Sequence, residues 1–221
     1  MGIRKGVSRR ELLGATLAAG GLACLGAAGP LFAQKMRRTP QQILGPFYPL
    51  TKPLDQDADL TQVQGRSGRA AGQAIDISGR VLNAQGLALA GIRIEVWQAN
   101  SYGRYTHPSD THDAPLDPNF EGYALLTTDS EGRYRFRTVK PGAYPDSSGR
   151  MRPPHIHFDV SGKINRTVTQ LYFAGDPFQD ADPHLQSAGA NKQRLIAGLQ
   201  RASGADSETL RANWDIVLDR G

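Results

Sequence analysis

The chain is 221 residues long with 39% hydrophobic and 21% charged residues, enough apolar material for one domain with a proper core and too little to argue for two. Its formal charge is +5, but several of the basic residues fall in the first 33 positions. The rest is near neutral, with no lysine run or basic stripe, which excludes a nucleic-acid surface as the main function. A single cysteine, Cys24, excludes a disulfide framework.

Residues 1–33 read as an export signal. Arg9 and Arg10 precede a Gly- and Ala-rich apolar run from Leu12 to Ala28, shorter than the ~20 residues of a membrane span. The pattern resembles a twin-arginine signal, and the expectation is a periplasmic or secreted protein with no transmembrane segment after cleavage at Ala28 or Ala33. Lipid anchoring at Cys24 is not expected, because Gly21 stands where such sites carry leucine. Residues 34–74 form an arm rich in Gln, Gly, Pro and Asp, expected to wrap over the domain or a partner. Residues 75–221 are the domain itself. Short alternating runs begin there: Ile92, Ile94 and Val96 alternate with Arg93, Glu95 and Trp97, and Tyr134 and Phe136 alternate with Arg133, Arg135 and Arg137. They predict half-buried antiparallel strands. "NAQG" and "DSEG" predict hairpin-type turns. One helix is expected at Asn191–Arg201, where Leu195, Ile196 and Leu199 form a stripe, and "TLRANWDIVLDR" is expected as a last strand. The fold class is therefore all-β: an antiparallel β-sandwich with a long N-terminal arm and one short C-terminal helix.

The chemistry concentrates in "RPPHIHFDV", residues 152–160. In a strand His155, His157 and Asp159 share one face while Ile156, Phe158 and Val160 share the other. The apolar face is the core side, so the histidines are expected to look toward a polar cleft or solvent. Two histidines on a polar face suit either an exposed strand or a metal site. Tyr105 and Tyr144 lie just past other strand ends, placed to converge on the same cleft. Two phenolates are hard, strongly donating anions, so a set of two tyrosines and two histidines favours ferric iron over zinc, which more often takes thiolates, carboxylates or three histidines. A zinc or copper hydrolase using His155 and His157 with His107, His112 or His184 leaves both tyrosines unexplained. Another reading is a non-catalytic binding module, because "GRVLNAQGLALAGIRIEVW" and "TTDSEGRYRFRTVKPGAY" resemble transthyretin-like and carboxypeptidase regulatory modules. It gives "RPPHIH" no role.

"GPFYP", "WQANSYGRY", "PGAYP" and "RPPHIHFDV", in that order, resemble the intradiol ring-cleavage dioxygenases, most nearly the iron-bearing subunit type of protocatechuate 3,4-dioxygenase. The resemblance spans about Thr39 to Asp176. It implies a β-sandwich, a non-haem Fe(III) centre held by Tyr105, Tyr144, His155 and His157, and a catalytic Arg152 that stabilises negative charge on the bound ring. It further implies that a catechol displaces Tyr144, and that O2 is inserted between the two hydroxyl-bearing carbons to give a cis,cis-muconate. The implied partners are a catechol-type substrate and O2, in a homo-oligomer or beside a related iron-free subunit. Asp146 departs from the pattern, standing where protocatechuate enzymes carry tryptophan. If it faced the pocket it would disfavour an anionic substrate. The helical dimerisation segment of catechol and hydroxyquinol 1,2-dioxygenases is absent. His107, Asp110 and Gln170 are further candidates near the site.

Overall fold

Two short sheets stack face to face, because the runs that build them are apolar on alternate residues. The structure, a computed structural model, describes residues 35–202 and 207–219 together with Gly2. The chain divides into the units Met1–Ala33 and Gln34–Gly221, and only the second is described below. The twin-arginine pair, the signal as a whole and Cys24 lie outside the described residues.

In chain order the strands are β1 (Ala74–Leu82), β2 (Arg93–Trp97), β3 (Tyr123–Thr127), β4 (Arg133–Val139), β5 (Tyr144–Pro145), β6 (Met151–Arg152), β7 (His155–Ser161) and β8 (Arg166–Phe173). The helix α1 (Pro183–Ser187) follows, then β9 (Ile196–Ala197), β10 (Gln200–Arg201), β11 (Leu210–Asn213) and β12 (Ile216–Val217). One sheet runs β3-β2-β7-β8-β9; the other centres on β1, with β4 on one side, β11 and β12 end to end on the other, and β10 beyond β11. β5 and β6 pair separately. Ile75 and Ile77 of β1, Tyr134 and Phe136 of β4, and Ile156, Phe158 and Val160 of β7 belong to one buried cluster. Each such side chain contributes about 1.5–3 kcal/mol by leaving water.

The sandwich is thus all-β, with three refinements. The pairs β1–β4, β2–β3, β2–β7 and β7–β8 are antiparallel, but β9, β11 and β12 return parallel to β8 and β1. "NAQG" and "DSEG" close tight turns with Gly86 and Gly132 at positive φ. Both turns nonetheless carry the chain toward the opposite sheet, because β1 and β2, and likewise β3 and β4, lie in different sheets. The final run breaks into β11 and β12 at Trp214, whose carbonyl accepts from the Tyr134 hydroxyl at 2.6 Å. A Cβ on Gly79 would lie 1.9 Å from that carbonyl oxygen, so only glycine admits this close approach.

The helix at Asn191–Arg201 does not form. Residues Gly189–Leu195 make a 3-10 turn, and Ile196–Ala197 then extend as β9 against Tyr172 and Phe173. Edge pairing there satisfies backbone groups while Leu195 stays in the core, and Gly198 sits inside the proposed helix where it costs about 1 kcal/mol. The helix that does form lies earlier. Asp182 caps it by accepting from the Leu185 N–H at 2.8 Å, and Pro183 opens it.

The arm is stitched across the sandwich. Met36, Thr39, Gln42 and Leu60 donate backbone hydrogen bonds to Ala84, Val217, Val168 and Arg137. Leu60 enters the main core. Residues around 40–53 lie over the polar face of the β2-β7-β8 sheet, through Thr169 to the Pro40 carbonyl (2.8 Å), Gln170 to the Ile43 carbonyl (3.0 Å) and Tyr48 to Glu95 (2.7 Å). This corrects the expectation of a half-buried sheet. His155, His157 and Asp159 are buried, as are Glu95 and Trp97, because the arm takes the place of solvent.

Candidate metal centre

Cross-strand register assembles the centre. On the covered face His155 stands opposite Tyr172, and His157 stands between Gln170 on β8 and Trp97 on β2. Tyr105 comes from the loop after β2. Its backbone N–H donates to Asp110 at 2.8 Å, which fixes the turn. Tyr144 opens β5 and faces Arg152 on β6 in the two-stranded ribbon. The ribbon therefore delivers a tyrosine and the arginine to one place.

The four donors converge. The Tyr144 hydroxyl lies 3.3 Å and the Tyr105 hydroxyl 3.5 Å from His155 Nε2. The two phenol rings meet edge to face at 5.4 Å, and the two imidazoles at 4.9 Å. His155 Nδ1–H donates to the Pro153 carbonyl at 2.7 Å, which places the proton on Nδ1 and leaves the Nε2 lone pair facing the phenols. Arg152 Nη1 donates to that lone pair at 3.0 Å. A cation bound at Nε2 would take the place of this hydrogen bond, so Arg152 Nη1 would draw back from the imidazole as the ion enters.

Burial sets the electrostatics. It pushes both imidazole pKa values well down, with Arg152 as the next cause, so both rings are neutral and offer lone pairs. Burial pushes the Tyr105 phenol well up, aided by Tyr144, and raises Tyr144 against the opposing charge of Arg152. Two buried phenols give up protons together only to a cation of high charge. His157 Nδ1 is buried with no partner. Two phenols that can ionise and two neutral imidazoles fit a hard trivalent ion, and ferric iron is such an ion. Among the described residues no group of three or more His, Cys, Asp or Glu side chains could hold a metal, which the zinc or copper hydrolase reading requires.

Arg152 is held on all sides. Its Nε donates to Asp182 at 2.9 Å and its Nη2 to Gln170 at 2.9 Å and Tyr172 at 3.2 Å, while Nη1 lies 3.5 Å from the Tyr144 hydroxyl. The guanidinium is pinned beside the phenols as a fixed positive charge.

The Dioxygenase_C family model, described as a dioxygenase, matches residues 43–220, which takes in the whole of this constellation. The chain belongs to the intradiol ring-cleavage dioxygenases. It is 46% identical over 167 residues to the protocatechuate 3,4-dioxygenase beta chain of Burkholderia cepacia, covering 73% of this chain and 71% of that one. It is 35% identical to catechol 1,2-dioxygenase 2 of Acinetobacter lwoffii, covering 80% of this chain but only 64% of that protein. The crystal structure of catechol 1,2-dioxygenase from Pseudomonas arvilla C-1 superposes with a TM-score of 0.61 at 29% identity, over 81% of this chain and 62% of that one. That of 3-chlorocatechol 1,2-dioxygenase from Rhodococcus opacus 1CP superposes with a TM-score of 0.66 at 21% identity, over 84% and 74%, and speaks for the fold alone.

The five residues singled out in this family member, Tyr105, Tyr144, His155, His157 and Arg152, are gathered in one buried cluster. Gln170 joins it through Arg152 and Asp110 through the Tyr105 backbone. Asp110 also holds His112 at 2.6 Å, and the His112 ring lies 6.4 Å from that of Tyr144. His107 packs on Phe47 with ring centroids 5.8 Å apart, and its Nδ1 accepts from the Ser109 backbone N–H at 3.1 Å. Asp146 is taken up by its own turn, accepting from Ser148 at 2.8 Å and Arg150 at 3.0 Å. The sequence pattern assigns no role to Trp97, Tyr172, Asp182 or the arm residues Gln42, Gly45 and Phe47, although Trp97, Gly45 and Phe47 stand inside its motifs. The cross-strand register brings in the first two, and α1 and the arm bring in the others.

Proposed function

We propose that this chain is a non-haem Fe(III) intradiol dioxygenase that cleaves a catechol-type aromatic between its two hydroxyl-bearing carbons, consuming O2 and giving a cis,cis-muconate. The observation that carries the reading is the convergence of two buried phenols on the Nε2 atom of His155. Tyr105, Tyr144, His155 and His157 would hold the ion, which supplies Lewis acidity and a template for the two catechol oxygens. As the resemblance to the family implies, Tyr144 would be the phenol to give way to substrate and to take up a substrate proton at its oxygen, 3.5 Å from Arg152 Nη1. Arg152 Nη1 stabilises negative charge delocalised onto the ring. Phe47, packed 4.7 Å from Tyr105 and 6.1 Å from Tyr144, keeps water from the phenol side. Because the Asp146 carboxylate is engaged within its own turn, it does not argue against a substrate that carries a carboxylate.

The family's oligomers make a partner subunit part of this proposal, and the twin-arginine pattern makes export part of it. Fractionation with N-terminal sequencing tests the latter: a periplasmic product starting after Ala28 or Ala33 supports export, and an uncut cytoplasmic chain contradicts it. For the reaction, iron-loaded protein is offered catechol, protocatechuate and hydroxyquinol separately under labelled O2. The expectation is one O2 consumed per ring and both labelled atoms in a muconate. Iron-loaded, folded protein that neither shifts its spectrum with nor turns over any of the three, alone or co-expressed with a related iron-free subunit, contradicts the proposal.

A further inference from the structure

The two histidines of the cluster are held by different physics. His155 is oriented by a hydrogen bond, Nδ1–H to the Pro153 carbonyl at 2.7 Å. His157 Nδ1 has no hydrogen-bond partner although the ring is buried. A metal-ligating histidine is ordinarily aimed by a hydrogen bond from its other nitrogen, so something else must aim this one.

Two contacts do. The indole of Trp97 stacks on the His157 ring with centroids 4.8 Å apart and planes 12° from parallel. At the Cε1 corner, between the two nitrogens, the arm brings in the bare backbone of Gly45. A Cβ there would lie 3.1 Å from His157 Cε1 and 3.7 Å from Nε2. Gly45 has φ of 77°, a conformation favouring glycine in its own right. The arm is fixed on either side of it, by Gln170 to the Ile43 carbonyl and by Phe47 on Tyr105. The backbone at 45 therefore has little freedom to retreat from the ring.

We infer that Trp97 and Gly45 form a packing clamp that positions His157 as a metal ligand in place of a hydrogen bond, which makes the arm a working part of the centre. The inference rests on His157 being a ligand, as proposed above. A methyl group at position 45 must push the ring by a few tenths of an ångström, and both nitrogens move with it. Loss of the flat indole face leaves the ring free to rotate.

The test is a titration of apoprotein with ferrous iron under anaerobic conditions against a competing chelator, followed by air oxidation and an absorption spectrum. Thermal melts of each apoprotein are taken alongside. Gly65 supplies the control for backbone strain, since it has φ of 81° and nothing within 4 Å of a built Cβ. Gly45→Ala and Gly65→Ala are expected to lose similar stability, while only Gly45→Ala weakens iron binding, by about 10- to 100-fold. Trp97→Leu is expected to weaken it to a similar degree and Trp97→Phe far less. Should Gly45→Ala not fold, the Trp97 pair decides alone. Iron affinity equal in Gly45→Ala and Gly65→Ala, or equal in Trp97→Leu and Trp97→Phe, overturns the clamp. His157→Ala separates the two levels: undiminished iron binding in that variant removes His157 from the ligand set and contradicts the function proposed above.

Discussion

Arg152 carries both a chemical and a structural duty, and its variants should separate them. Asp182 is fully buried against it, so Arg152→Ala strands a carboxylate and should cost about 3–5 kcal/mol. Arg152→Lys keeps the charge but cannot reach Asp182, Gln170, Tyr172 and the Tyr144 hydroxyl together. We predict a folded protein that still binds iron, with kcat/KM reduced about 100-fold; oxygen uptake beside a thermal melt checks it. Unchanged kcat/KM in Arg152→Lys would assign the arginine to folding alone. At this scale the candidate donors are legible because His155 and His157 share a strand face and all four residues stand in motifs that resemble the family's. Trp97 and Tyr172 are not, because nothing in "EVWQ" or "QLYF" says which strand lies alongside; their roles come from the pairings Trp97–His157 and Tyr172–His155.

Among the elements, the arm does most to turn a sheet into a site. Its anchor is Glu95, which accepts from Tyr48 and Tyr123 at 2.7 Å each and pairs with Lys52 and Arg93. Burial alone would raise this carboxyl, but the hydrogen bonds from Lys52, Tyr123, Tyr48 and Arg93 hold it down at about 2. Glu95→Ala should therefore destabilise the protein by about 3 kcal/mol, and hydrogen exchange should show residues 42–53 opening before the core. Protection there equal to the wild type would show that the arm does not depend on this anchor. A second group works against the arm. Burial, then Asp55 and Asp57, push the Glu121 carboxyl up from 4.5 to about 7. An acid raised in the folded state costs nothing while protonated in both states. Stability falls as pH climbs from 4.5 to about 7 and stays lower above that. Glu121→Gln should thus stabilise the protein by about 1 kcal/mol at about pH 8 and change little at about pH 4. Melts at the two pH values check it, and equal effects at both would contradict it. The sequence shows that the arm exists but not where it lies, since it has no periodicity and is placed by single hydrogen bonds. The misplaced helix has a similar cause. The stripe Leu195, Ile196, Leu199 suits a helix locally, but the free edge of β8 captures Ile196 and Ala197.

The molecule as a whole is a family β-sandwich whose cluster of chemistry lies outside the inter-sheet core, on the outer face of one sheet, roofed by its own N-terminal arm. Strand alternation made the sandwich legible, because apolar residues on every second position need a second sheet to cover them. The burial of the polar face was not legible, since it comes from a segment more than 100 residues earlier in the chain, as the Gln170 to Ile43 contact shows. Whether two tyrosinates and two histidines of this chain hold ferric iron is read from the visible absorption spectrum of the iron-loaded protein. The expected result is a burgundy protein whose tyrosinate-to-metal band shifts on adding catechol, bleaches with dithionite, and changes markedly in Tyr105→Phe and Tyr144→Phe. A folded protein that binds iron but stays colourless, or whose colour is untouched by both substitutions, would contradict it.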